Sequence, residues 1–109
     1  MKIRTLPLPI IKILTGGFDA FTFNSVIYTS KGKLDDAKLI NHESIHAAQQ
    51  DEMGMVSFLK VYLSDYFKRV WELGHYDAYR NIRLEQEAWD NEYNIDYLDT
   101  RVPFAWKHL

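Results

Sequence analysis

Two histidines one helical turn apart, with a glutamate beside the first, are the residues of this chain best suited to do chemistry. Asn41-His42-Glu43-Ser44-Ile45-His46 reads His-Glu-x-x-His. At about 100° per residue, positions 42 and 46 lie about 40° apart around a helix, so one ion can meet both imidazoles. Glu43 falls about 100° from His42, at the edge of that face, where it can reach a water on the ion without ligating the ion. Two neutral nitrogen ligands, an open position for water and a base beside it are what zinc-assisted peptide hydrolysis requires. The plain alternative is a surface helix that happens to carry two histidines, and the elements around the motif decide between the two.

Those elements begin with a helix that Asp35 or Asp36 can start, running to about Met53 with Gly54 just past its end. In projection Leu39, His42, His46, Gln50 and Met53 share one arc, flanked by Ile40 and Ala47, while Lys38, Asn41, Ser44 and Gln49 fall mainly on the back. Histidines facing inward among apolar neighbours need polar partners, and a metal suits both at once. A later helix is predicted from Tyr76 or Asp77 to about Asp99, with Pro103 ending any continuation. On it Glu85 lies within an apolar arc with Ala78, Ile82, Ala88 and Trp89, whereas Glu87 shares the opposite side with Arg80, Arg83 and Asn94. A lone carboxylate at the centre of a buried face is costly without a cation. An arginine is one partner; the ion held by His42 and His46 explains Glu85 better. On a continuous helix Glu85 and Glu87 stand about 200° apart, so only one of them can face the histidines.

Between these helices the segment 55–73, closed by Gly74, reads as a helix heavy in aromatics: Phe58, Tyr62, Tyr66, Phe67 and Trp71. A core-packing helix with a wet side accounts for most of them; a face for a protein partner or a membrane surface accounts for the surplus. His75 after the break suits a helix C-cap, a third metal ligand or a transition-state hydrogen-bond donor. Towards the N-terminus Pro7 and Pro9 forbid a helix at the start, and Ile10, Ile11, Ile13 and Leu14 favour a short buried strand or extended segment. After Gly16-Gly17 the stretch 18–30 alternates as a strand, or as a hairpin turning at Asn24-Ser25, and can offer its edge to an extended peptide. The tail 102–109 reads as an irregular packing segment with His108 at the surface.

The composition sets outer limits. The 109 residues suit a single domain, 1–109, and 47% hydrophobic residues with 15% aromatics support a globular core. With no cysteine, any metal must be held by His, Asp or Glu. A formal charge of −2 without a basic cluster gives no reason to expect nucleic acid. No uninterrupted apolar stretch is long enough to span a bilayer, and Pro7, Pro9 and Lys12 do not suit a signal peptide, so the expected location is cytoplasmic.

With these residues placed, the chain resembles a small zincin metallopeptidase of the gluzincin type, in His42-Glu43-x-x-His46 and in a downstream Glu-x-x-Ala, here Glu85-Gln86-Glu87-Ala88. The resemblance covers residues from about 18 to 98. It implies Zn2+ bound by His42, His46 and Glu85, with Glu43 as the general base and a peptide or protein as substrate. It also implies a minimal α+β domain, about three α-helices packed on a small N-terminal β-sheet or hairpin, whose strand region 18–30 aligns the substrate. Trp89 stands where many gluzincins carry an acidic residue, and the oxyanion-stabilising Tyr or His of the family has three candidates here: His75, Tyr76 and Tyr79. The rival class is a non-catalytic zincin-like module that docks a partner through the helix 55–73.

Overall fold

A computed structural model describes residues 2–109. In chain order it contains β1 (Lys2–Thr5), α1 (Leu8–Thr15), β2 (Ala20–Phe23), β3 (Val26–Thr29), α2 (Ala37–Arg80), α3 (Arg83–Asn91) and α4 (Tyr97–Thr100). Single 3-10 turns occupy Lys31–Lys33 and Ala105–His108. The architecture is α+β, with the helices packed against an N-terminal three-stranded sheet, as expected from the sequence.

The sheet order is β1-β3-β2, with β1 parallel and β2 antiparallel to β3, so β2 is an edge strand. β2 and β3 form the expected hairpin at Asn24-Ser25. Both turn residues have positive φ (51° and 66°), the two-residue geometry that matches strand twist. Helix α2 holds this turn: the Ser25 N–H donates to Gln50 Oε1 at 2.8 Å, and Gln50 Nε2 donates to the Thr22 carbonyl at 3.0 Å.

The expectation for the N-terminus is corrected: the apolar run after the prolines is a helix, not a strand, and the strand of this region is Lys2–Thr5. Pro7 is the N-cap of α1 and Pro9 lies in its first turn, where backbone N–H groups have no intrahelical acceptor and proline costs little. Ile11 of α1, Ala20 and Ile27 of the sheet and Ile45 and Ala47 of α2 are each buried, while Ile10, Ile13 and Leu14 are exposed.

Helix α2 begins at Asp36, whose carboxylate accepts the Leu39 N–H at 3.1 Å. Non-helical backbone at Gly54 (φ 78°, ψ 159°) and Gly74 (φ 80°, ψ 173°) breaks it into limbs 37–53, 55–73 and 75–80, at the two glycines that the sequence marks. The first limb is buried on every side between residues 41 and 47, so Asn41 and Ser44 are interior along with the histidines. The single inward arc of the projection is therefore replaced by a helix wrapped by sheet on one side and α3 on the other.

The long helix expected from 76 or 77 to 99 is interrupted. Ile82 is extended (φ −66°, ψ 123°), and α3 restarts at Arg83 because buried Asp65 of the second limb caps it. One Asp65 oxygen accepts both the Arg83 backbone N–H (3.0 Å) and Nε (2.9 Å), and the other accepts Nη2 at 3.1 Å. Burial alone would raise the Asp65 pKa, but these Arg83 bonds outweigh it and hold the carboxyl below its ordinary value. A carboxylate here satisfies a helix N-terminus that sequence position alone leaves uncapped.

A second core joins Phe58, Ile82, Leu84 and Trp106, and Glu52 ties the tail to it. Its carboxylate takes a bidentate pair from Arg101, at 2.9 Å for each bond, together with the Phe104 N–H and Trp106 Nε1. The tail is thus a packing segment, with His108 exposed as expected.

Replacing Gly54 by alanine tests the break between the limbs. No atom lies within 4 Å of the added Cβ, so the cost is conformational. A backbone with φ near +80° and extended ψ is disfavoured for alanine by about 1–3 kcal/mol. Gly54→Ala should lower stability by that amount in a thermal or denaturant titration; unchanged stability would mean that the limbs join in another geometry.

Candidate metal centre

His42 and His46 come from the first limb of α2 and Glu85 from the first turn of α3. One ligand atom from each lies within 4.8 Å of the others, and all three residues are buried. Glu85 Oε1 is 3.2 Å from His42 Nε2 and 2.9 Å from His46 Nε2, and Tyr62 donates to the other Glu85 oxygen at 2.7 Å. Two imidazole nitrogens and one carboxylate oxygen, converging at the wall of a cavity, can coordinate a divalent metal such as Zn2+.

The hydrogen bonds behind the rings favour that use. Gln49 Nε2 donates to the Leu84 carbonyl (2.9 Å) and to Glu87 Oε1 (3.0 Å), which fixes the amide so that Gln49 Oε1 faces His46 Nδ1 at 2.8 Å. That oxygen only accepts, so Nδ1 must carry the proton and Nε2 is the nitrogen offered to a metal. Behind His42, the buried oxygen Glu92 Oε1 lies 3.5 Å from Nδ1 and has no hydrogen-bond partner, so an acceptor stands ready for that ring as well. Asn41 anchors this end of α3 by donating through Nδ2 to the carbonyls of Asn91, Glu92 and Asn94. Trp89 closes the side, its ring edge-on to His42 with centroids 5.3 Å apart.

Electrostatics point the same way. Burial lowers the His46 pKa, but the Glu85 carboxylate more than reverses this, and the value is pushed up to about 10. Glu85 is held well below the usual carboxylate range: burial opposes ionisation, and the two imidazoles outweigh it. The site is thus built for a positive charge on the axis between the histidines and Glu85.

Glu43 is buried beside the ligands and lines the same cavity of about 760 Å³. Thr22 of β2 donates to Glu43 Oε1 at 2.9 Å, which fixes the carboxylate at the boundary between helix and sheet. Ala20, Phe21 and Thr22 line the cavity. Phe21 and Phe23 spend their backbone groups on β3, so by alternation those of Ala20 and Thr22 point to the other edge of β2. Among the oxyanion candidates, only Tyr79 lines the cavity. Tyr76 is exposed on the third limb, and His75 Nδ1 pairs with the Tyr66 hydroxyl at 2.8 Å. Burial, then the Glu85 and Glu43 carboxylates, raise the Tyr79 pKa, so its hydroxyl keeps its proton.

Glu87 departs from its expected exposed position. It does point away from the histidines, but it is buried, and it binds Arg101, Gln49 and Tyr97. The far side of α3 is covered by the returning tail, which a projection of α3 alone does not show. The supporting residues Tyr62, Gln49, Thr22 and Glu92 also escape the sequence reading. Gln49, three residues from His46 and thus on a neighbouring helical face, was the most accessible of them; the other three are brought in by tertiary packing.

Two outcomes test the centre. Glu85→Ala should lower zinc affinity by about one to three powers of ten. Glu87→Ala should keep most of the affinity while costing about 2 kcal/mol or more of stability, because it strips partners from buried Arg101 and Gln49. Calorimetric titration of both variants checks the pair; loss of zinc in Glu87→Ala with retention in Glu85→Ala would overturn the assignment. Because the raised pKa keeps the proton on His46 between its ordinary 6.5 and about 10, zinc uptake at pH 8 should release about one proton. Binding enthalpies that do not vary with the ionisation heat of the buffer would contradict this.

No family model, curated protein or solved structure matches the chain, so the identity of the centre is carried by its own residues. His42-Glu43-x-x-His46 with downstream Glu85 forms a triad that matches the gluzincin pattern of two motif histidines and a later glutamate.

Proposed function

We propose that the protein is a zinc-dependent metallopeptidase, with His42, His46 and Glu85 as ligands and Glu43 as general base. The observation that carries this reading is a buried carboxylate beside the triad, that of Glu43, which lines the cavity but stands outside the ligand set. A purely structural zinc has no use for such a base.

Zinc, when held by the triad, supplies Lewis acidity that acidifies a water and polarises the scissile carbonyl. Glu43, oriented by Thr22 Oγ1, takes the proton of the attacking water and delivers it to the leaving amine. The Ala20 and Thr22 backbone, facing the cavity edge of β2, aligns an extended peptide by strand addition. The Thr22 carbonyl already bonds Gln50, so the substrate pairs chiefly toward Ala20. The Tyr79 hydroxyl donates to the oxygen that gains charge as the carbonyl carbon becomes tetrahedral.

Glu43→Gln should retain zinc and lower peptide hydrolysis by about a hundredfold or more, since shape is kept and only the base is lost. Tyr79→Phe should lower kcat by about a hundredfold with zinc affinity unchanged. A peptide-library digest read by mass spectrometry, with and without chelator, measures both. Full activity in Glu43→Gln ends the mechanism, and zinc binding without hydrolysis of any peptide by the parent favours the non-catalytic module.

A further inference from the structure

The second limb of α2 presents a face that neither the core nor the metal centre uses. Val56, Leu59, Leu63, Phe67 and Trp71 recur at helical spacing and fall within about 120° of one another. All five are exposed, Trp71 to 89%, while Phe58 and Asp65 on the other side of the limb are buried. Leu59 belongs both to this stripe and to the wall of the metal cavity. In the same cavity, Leu14 and Phe18 line the wall and are themselves exposed, and Ile10 and Ile13 extend that apolar edge along α1. Two segments distant in sequence thus bring exposed apolar side chains to the wall of one cavity.

The charges around the stripe are mainly basic. In the limb 55–73 the exposed charged side chains are Lys60, Lys68 and Glu72, with Arg69 half-buried. The other acid of the limb, Asp65, is buried against Arg83, so the bases outnumber the acids at its surface. Lys60 falls inside the apolar arc and Lys68 about 60° beyond its edge. This is a local excess, since the whole chain carries a formal −2.

We propose that this face, with α1 at the same cavity, docks the protein on a lipid surface bearing anionic headgroups, so that the metal cavity opens at the membrane boundary. Apolar side chains in an arc, lysines able to extend toward phosphates and a tryptophan at the end of the stripe suit the boundary between headgroups and acyl chains. A second copy of the chain fits less well. A two-fold contact through the stripe would set Lys60 against its own duplicate with no acid inside the arc to meet it. Among the described residues no helix is long and apolar enough to cross a membrane, so the contact is with the surface. The docking goes beyond the hydrolytic reading and needs neither zinc nor turnover. Joined to that reading, it makes the substrate a polypeptide segment lying at the membrane boundary.

Co-sedimentation of the full chain with vesicles tests the docking without any assay of hydrolysis. The protein should partition onto mixed phosphatidylcholine–phosphatidylglycerol vesicles about tenfold or more above pure phosphatidylcholine, and high salt should weaken the binding. Leu63→Ser combined with Phe67→Ser should cut partitioning by about tenfold or more, whereas Val102→Ser, an exposed apolar position outside the stripe, should leave it unchanged. Unaltered zinc uptake in these variants shows that the fold is intact. No binding to either vesicle, equal binding by the stripe variant and the parent, or a dimer in solution that the Leu63 and Phe67 substitutions dissolve would overturn the proposal.

Discussion

A single buried carboxylate, Glu85, organises this molecule. Ionised and almost fully enclosed, it is tolerable only because two imidazoles meet one oxygen and the Tyr62 hydroxyl meets the other. Each of those three partners comes from α2, on either side of the Gly54 break, so both limbs must be placed correctly around α3. The Asp65 cap on α3 sets where that helix begins and hence where Glu85 points. The Asn41 side chain anchors the opposite end of α3 to the histidine limb. Placement of α3 and convergence of the ligands are therefore one structural problem, solved by polar contacts at both ends of a nine-residue helix.

The surrounding network also divides labour among the acids. Glu85 faces the histidines, Glu43 is held by the sheet at the edge of the same cavity, and Glu92 stands behind His42. Glu87 and Glu52 clamp Arg101 and with it the tail. Five buried or half-buried carboxylates thus meet different partners; of the two that line the cavity outside the ligand triad, Glu92 stands behind the His42 ring, and Glu43 is fixed by Thr22 at the boundary of helix and sheet. This separation supports a base in Glu43 more directly than its position in the motif does.

How far the sequence predicts this arrangement can be judged residue by residue. The His42–His46 pair and Glu85 were legible because helical spacing is a local property and a buried carboxylate is conspicuous by its apolar neighbours. Gly54 and Gly74 broke the helix where expected, since positive φ is chemically marked. Helix α1 is hidden by Pro7 and Pro9, which break a helix interior but at an N-cap and in a first turn cost no hydrogen bond. The break at Ile82 was invisible because the group that stabilises it, Asp65, lies 18 residues away. Glu87 looked solvated for a related reason: Arg101, its partner from the tail, could not be placed by periodicity.

The most direct measurement of the central claim is diffraction from crystals of the zinc-loaded protein, with anomalous data collected at the zinc edge. The account predicts one strong peak at the cavity wall, about 2.0–2.1 Å from Nε2 of His42 and of His46 and about 2.0–2.2 Å from a Glu85 oxygen, with Glu43 beside it and outside bonding distance. A peak held by other residues, one that includes Glu43 as a ligand, or no peak at this position would contradict it.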